Sequence, residues 1–371
     1  MFVITTITKG VIMTNFKKIG LTALAGTLAA TAYAQAGALS VSGTARMEYQ
    51  STQASASAKA DSFAQNTTIS FTGSGELDNG WTVATGMTIV EDSSLSSSNV
   101  KLTMGGLGSL LVGNGQGGLG ANFDNAIPTA YEEAHDGEKD SAAIDNIGAD
   151  HGNGGIDYVS PAIDMMGASI TLMAGYVPEV SATAVGEGGV STGSALWGSG
   201  QSFGATISYG GFTVGGYTNE SKADGGTAGK TDGDKTDHTA YIKYTAGPVS
   251  IGYSESYQDQ GLTGGATATT TAKTVRSANG IFESETISIA FNVNDDLSLS
   301  YGGWESKKAG YTDSNTEQPN EDKRTIIVRS TQVAYTMGGA SMRIARADAS
   351  NVAYVANDNQ EVTTISLGLA F

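Results

Sequence analysis

The stretch Leu39-Ser40-Val41-Ser42-Gly43-Thr44-Ala45-Arg46-Met47-Glu48-Tyr49 alternates apolar and polar residues. In an extended chain successive side chains point to opposite faces. Leu39, Val41, Ala45, Met47 and Tyr49 therefore share one face, and Ser40, Ser42, Thr44, Arg46 and Glu48 share the other. In a soluble sandwich the apolar row would meet a second sheet. In a membrane barrel it meets lipid, while the polar row lines water.

Moving outward from this stretch, the same period recurs along the chain. The pattern predicts strands at 38–50, 62–77, 80–91, 98–105, 108–114, 154–161, 167–178, 201–209, 211–220, 237–246, 248–258, 281–293, 296–306, 324–337, 339–348 and 360–371. Sixteen is an even number, as antiparallel closure requires. The links alternate too. Short ones carry turn residues, such as Asp78-Asn79-Gly80, Gly210-Gly211, Gly247-Pro248, Asn294-Asp295-Asp296 and Gly338-Gly339, which suit tight hairpins. Between them lie the longer polar links 51–61, 115–153, 179–200, 221–236, 259–280, 307–323 and 349–359. One end of a barrel with short turns and the other with long loops is the asymmetry of an outer-membrane barrel. The 92–97 link, short in a long-loop position, is the exception. All five prolines (Pro128, Pro161, Pro178, Pro248, Pro319) fall between the predicted strands, because proline cannot donate to a ladder.

Composition narrows the class further. Residues 1–34 read as a signal peptide: Lys17 and Lys18 precede the small, apolar run Leu21 to Ala32, and Met13 suits a start. Cleavage fits after Ala34 or Ala36, where small-x-small sequences stand. The run is too short to span a bilayer, which takes roughly 20 residues. Residues 35–371 then form one domain. Removing Lys9, Lys17 and Lys18 from the 20 basic residues leaves 17 against 37 acids, a net charge of −20. That excludes a nucleic-acid partner, which needs a basic surface. Cysteine is absent, so an exported chain must be held by something other than disulfides. After the leader no 18-residue apolar run occurs, excluding membrane-spanning helices.

The last predicted strand presents Thr363, Ile365, Leu367, Leu369 and Phe371 on one face and ends on Phe371. Such an aromatic end resembles the signal read by outer-membrane insertion machinery. Aromatic residues also gather near strand ends (Tyr49, Trp81, Tyr158, Tyr176, Tyr209, Phe212, Tyr217, Tyr244, Tyr253, Tyr301, Trp304, Tyr335), as interfacial girdles do.

With the leader, sixteen alternating strands, the terminal Phe371 and a very long third loop, the chain resembles the sixteen-stranded general porins of Gram-negative bacteria. Leu110-Leu111-Val112-Gly113-Asn114 and Ile156-Asp157-Tyr158-Val159-Ser160-Pro161 look like that family's strands on either side of the third loop. The resemblance implies an outer-membrane homotrimer. Each subunit would pass ions and small hydrophilic solutes by diffusion through its own pore, narrowed by an inward-folded third loop.

The pore residues follow. The constriction candidate 115–153 holds Asp124, Glu132, Glu133, Asp136, Glu138, Asp140, Asp145 and Asp150, against one base, Lys139. Links of this length are usually functional. Pro128 to Ala134 is expected to form a helical turn, since proline suits a first turn and two glutamates follow. Arg46, Lys101, Lys243 and Arg343 lie on polar faces and are the expected basic wall opposite. Acids predominate, so cations are the expected preference. Arg329 and Arg346 fall on the outward face, where mid-membrane placement would cost about 2–4 kcal/mol. A bulge, a subunit contact or a site above the membrane would account for them.

No catalytic residue, metal site or cofactor is expected; calcium at oxygen-rich loops such as Asp145-Asn146 or Asp232-Gly233-Asp234 with Asp237 is the one exception. The run Gly113-x-Gly115-x-x-Gly118 matches a dinucleotide fingerprint, but no helical period follows it. His135, His151 and His238 are read as loop histidines, and without cysteine they are not expected to make a zinc site. The alternatives are a substrate-specific channel and, behind it, a barrel enzyme or adhesin.

Overall fold

A computed structural model describes residues 37, 39–55, 59–90, 94–114, 118–124, 126–136, 153–180, 183–185, 189–191, 197–223, 234–259, 281–309 and 324–371. The proposed signal peptide lies outside the described residues.

The strands are β1 (Leu39–Ala54), β2 (Ala60–Glu76), β3 (Thr82–Ile89), β4 (Leu95–Thr103), β5 (Ser109–Asn114), β6 (Asn153–Val159), β7 (Ala168–Val177) and β8 (Trp197–Tyr209). They continue with β9 (Phe212–Ala223), β10 (Lys235–Ala246), β11 (Val249–Asp259), β12 (Ile281–Asn292), β13 (Leu297–Ala309), β14 (Arg324–Met337), β15 (Ala340–Ser350) and β16 (Asn359–Ala370). Past Pro161, β6 resumes as the short piece Ile163–Met165 on the same neighbour, β7. The interruption is where a proline must stand, at a break in the ladder. Each strand pairs antiparallel with the next, and β1 pairs with both β2 and β16. The sheet is therefore a closed barrel of sixteen strands, which leaves no edge open to other chains. A separate ribbon, Thr183–Val185 with Gly189–Ser191, stands outside it.

All sixteen predicted strands are present. Several run farther than the hydrophobic alternation reaches: β1 continues to Ala54 and β2 starts at Ala60. The ladder needs only backbone groups, so it extends into polar sequence above the apolar belt. The seam is drawn together by Phe371. Gly43 N–H donates to Phe371 O at 2.8 Å, and Phe371 N–H donates back to Gly43 O at 2.9 Å.

The two side-chain rows differ as the alternation demands. Val41, Met47, Phe203, Ile251, Ile287, Leu299 and Leu369 form an exposed apolar row. So much open apolar surface is unstable in water but matches lipid. Near the turns an aromatic fringe includes Tyr209, Phe212 and Tyr244, with the last two rings 4.2 Å apart. Tyr217 and Trp304 do not join it. They stand on the opposite, inner row and are buried under a loop.

Arg329 and Arg346 are on the outer row, as their parity requires. Both sit at the long-link side of the apolar belt, beyond Val333 on β14 and Ile344 on β15. Arg329 Nη2 lies 2.9 Å from Glu305 Oε1, and Arg346 Nη2 lies 2.9 Å from Glu361 Oε2. Lys307 and Glu285 add a third outer-row pair at 3.3 Å. No bulge occurs at either arginine in the β13–β14, β14–β15 or β15–β16 ladders. Position above the belt explains them.

Candidate functional site

Residues 118–124 and 126–136 include side chains and backbone groups that contact the inner row of several strands. A 3₁₀ turn at Leu119–Asn122 buries Leu119. Phe123 stacks on Tyr217 with ring centres 5.3 Å apart, and Tyr241 lies 6.2 Å away. The wall beneath is cut away to receive it. A Cβ on Gly204 would stand 2.7 Å from the Phe123 ring, and one on Gly252 would stand 2.5 Å from Pro128 Cδ. Neither distance is possible for a real side chain, so both positions require glycine for this approach.

Farther along, the wall takes up the backbone groups of the loop. Ser288 Oγ donates to Pro128 O at 2.6 Å. Ala130 N–H donates to Ser300 Oγ at 2.9 Å. Gln332, 2 % exposed, works in both directions. Its Oε1 accepts from Tyr131 N–H at 3.0 Å and Glu132 N–H at 3.3 Å, and its Nε2 donates to Glu132 O at 2.7 Å. The expected helical turn over Pro128 to Ala134 does not form. The N–H groups of 130–132 bond to wall side chains, which replace the intrahelical acceptors, and the helix loses its reason to form. His135, 2 % exposed, stacks on Trp304 at 4.6 Å. Tyr131 O–H donates to Glu48 Oε2 at 3.2 Å, and Arg343 sits 5.4 Å over the Tyr131 ring.

The proposed site residues divide accordingly. Glu132, Glu133 and Asp136 stand together; Glu133 N–H donates to Asp136 Oδ2 at 2.9 Å. Asp124 is apart from them, in the turn whose N–H bonds Gly120 O. Glu138, Asp140, Asp145 and Asp150 lie outside the described residues. Among the bases, Arg46 is 3.5 Å from Glu48, in the ladder beside Tyr131's partner. Arg46 and Arg343 thus flank the acidic stretch instead of opposing it. Lys243 Nζ lies 5.8 Å over the Tyr241 ring, next to Gly252 in register. Lys101 is exposed on β4, eight strands around the ring from β12 and its anchor Ser288. The calcium candidates do not gather: Asp145 and residues 232–233 lie outside the described residues. Asp234 is 3.0 Å from Lys222 Nζ, and Asp237 accepts from Gln258.

The crowding of carboxylates perturbs their ionisation. Burial pushes the Glu132 carboxyl up to about 8, from an ordinary 4.5, with repulsion from Asp136 and Glu48 adding to it and Arg46 opposing. The Tyr131 phenol is raised to about 12, chiefly by burial. Sequence reasoning missed Gln332, Ser288, Ser300 and Glu48. Serines are everywhere on the inner row, so nothing marks these two. Gln332, a long amide among small neighbours, was the one visible hint.

A family model for the Gram-negative porins matches residues 20–371. The chain belongs to the Gram-negative porin family. It is a channel of the outer membrane. No curated protein sequence matches it. Among solved structures, the porin is similar to the anion-selective porin of Comamonas acidovorans, with TM-score 0.64 and 11 % identity over 90 % of this chain and 100 % of that one. It is also similar to OmpF of Salmonella typhi in complex with daunomycin, with TM-score 0.62 and 14 % identity over 90 % and 97 %. OmpT of Vibrio cholerae aligns with TM-score 0.60 and 13 % identity over 92 % and 99 %. At such identities the likeness speaks for the fold alone. The pore's charges must be read from its own residues.

Proposed function

We propose that this porin passes small hydrophilic solutes and ions by diffusion, prefers cations, and is narrowed from within by residues 118–136. The observation that carries the reading is the fastening of that segment to the inner row by Ser288, Ser300 and Gln332, with Glu132, Glu133 and Asp136 borne on it. A barrel of 16 to 18 strands is wide enough to hold a water column. Its flux is then governed by whatever reduces its cross-section. Carboxylates at that level raise local cation concentration and repel anions. Arg46 and Arg343 beside them, with Lys101 across, create a transverse field that polar solutes can follow.

The shared fold does not set ion preference, since one similar structure is of an anion-selective porin. The test is the reversal potential of single channels in a salt gradient. Cation preference is expected, and its loss in the double variant Glu133→Gln, Asp136→Asn. Anion preference in the unmodified channel would refute the reading. An in-vitro folded OmpT of Vibrio cholerae has been described as a trimer. We propose the same state here, to be tested by gel mobility of unheated samples after cross-linking.

A further inference from the structure

We infer that Glu133, His135 and Asp136 form a binding site for a transition-metal dication of the zinc class on the loop at the barrel's inner wall. Their ligand atoms all lie within 4.8 Å of one another. Two features place them so. Asp136 N–H donates to Glu133 O at 3.2 Å while Glu133 N–H donates to Asp136 Oδ2, a reciprocal turn that sets the two carboxylates side by side. The imidazole is fixed separately, stacked at 18° on Trp304 of β13. The ring is held by the wall and the carboxylates by the loop, so a bound ion would tie the loop's chain to a ring whose position the barrel dictates.

The donor set selects the metal. Calcium wants six to eight oxygens, and magnesium a rigid octahedron of them. One imidazole nitrogen with two carboxylates suits a borderline cation such as zinc, with water in the open fourth position. Tetrahedral bonds of about 2.0–2.1 Å put ligand atoms about 3.4 Å apart, so a closure of at most about 1.4 Å is needed. Glu133 and Asp136 are only half-buried and can supply it by torsion, while the buried imidazole stays still. The bound dication would offset two negative charges on the loop. This last consequence rests on the pore reading above; the site itself does not.

Two measurements separate them. Equilibrium dialysis of the detergent-purified barrel against micromolar zinc at neutral pH should give one saturable ion per chain. Affinity should fall at least about tenfold in His135→Gln and in Glu133→Gln, and not in His238→Gln on the outer row. Circular dichroism and heat-dependent gel mobility establish that each variant is folded. Should His135→Gln fail to fold, Glu133→Gln decides alone. No zinc uptake, or uptake equal in Glu133→Gln, would overturn the site. In bilayers, zinc should shift the reversal potential towards anions in the unmodified channel and leave that of Glu133→Gln unmoved. Zinc taken up without any such shift would sustain the site and refute the loop's part in selectivity.

Discussion

If the proposed cation preference holds, Glu132 should make it a function of pH. Its carboxyl titrates at about 8 because it is buried among Asp136 and Glu48. At pH 7 it is about one-tenth ionised and at pH 9 about nine-tenths, so the loop gains about 0.8 of a charge. For a cation passing about 6 Å away through water, one charge is worth about 0.7 kcal/mol, cut to about 0.4 by screening in 0.1 M salt. The same charge repels an anion by as much as it attracts a cation, so the cation-to-anion permeability ratio should rise about threefold between pH 7 and pH 9, and Glu132→Gln should abolish the rise. Stability moves the other way. The unfolded carboxyl ionises near 4.5 and the folded one near 8, so the folded state holds more protons between those values. Stability then falls as pH climbs from 4.5 to 8 and levels off above. The gap corresponds to about 3–5 kcal/mol, which Glu132→Gln should recover at high pH and not below pH 4.5. Reversal potentials and denaturant midpoints across this range are the assays. A ratio that moves equally in Glu132→Gln, or a midpoint indifferent to it at pH 9, would refute the reasoning.

Three further outcomes are expected. Gln332→Leu leaves the Tyr131 and Glu132 backbone groups without their wall partner; it should cost about 2–3 kcal/mol and give larger, noisier single-channel currents. Gly252→Val places a side chain where Pro128 Cδ now lies and should displace the segment, raising conductance while the circular dichroism of the barrel is unchanged. Phe371→Ala removes the ring at the β1–β16 seam and should lower the yield of heat-modifiable, closed barrel without altering the conductance of channels that do form.

The strands were legible because a two-residue period has few causes, and because hairpins and long links alternate with it. The arginines at 329 and 346 were correctly placed on the outer row by parity, but height along the strand is not written in an alternating pattern; their acidic partners sit on neighbouring strands far away in sequence. Trp304 and Tyr217 misled for a related reason. An aromatic residue near a strand end suits an interface or a cushion for a loop equally well, and only the path of 118–136 decides between them. The resemblance implied an inward third loop but not the wall residues it would meet. The 128–134 stretch has local features of a helix, yet Ser300 and Gln332 outbid the intrahelical bonds. Nearness of Glu132, Glu133 and Asp136 could be read from spacing alone, whereas the flanking of Tyr131 by Arg46 and Arg343 needed the barrel to close β16 onto β1.

The outer pairs Arg329–Glu305 and Arg346–Glu361 also work as a waterline. Were the cylinder to sink by one outward residue, these ions would enter hydrocarbon, where each arginine costs up to about 2–4 kcal/mol. Were it to ride higher, Ile344 and Ile365, paired just below these ions on the outer row, would meet water instead. The depth at which this pore floats is thus pinned from both sides by side chains that never touch what passes through it.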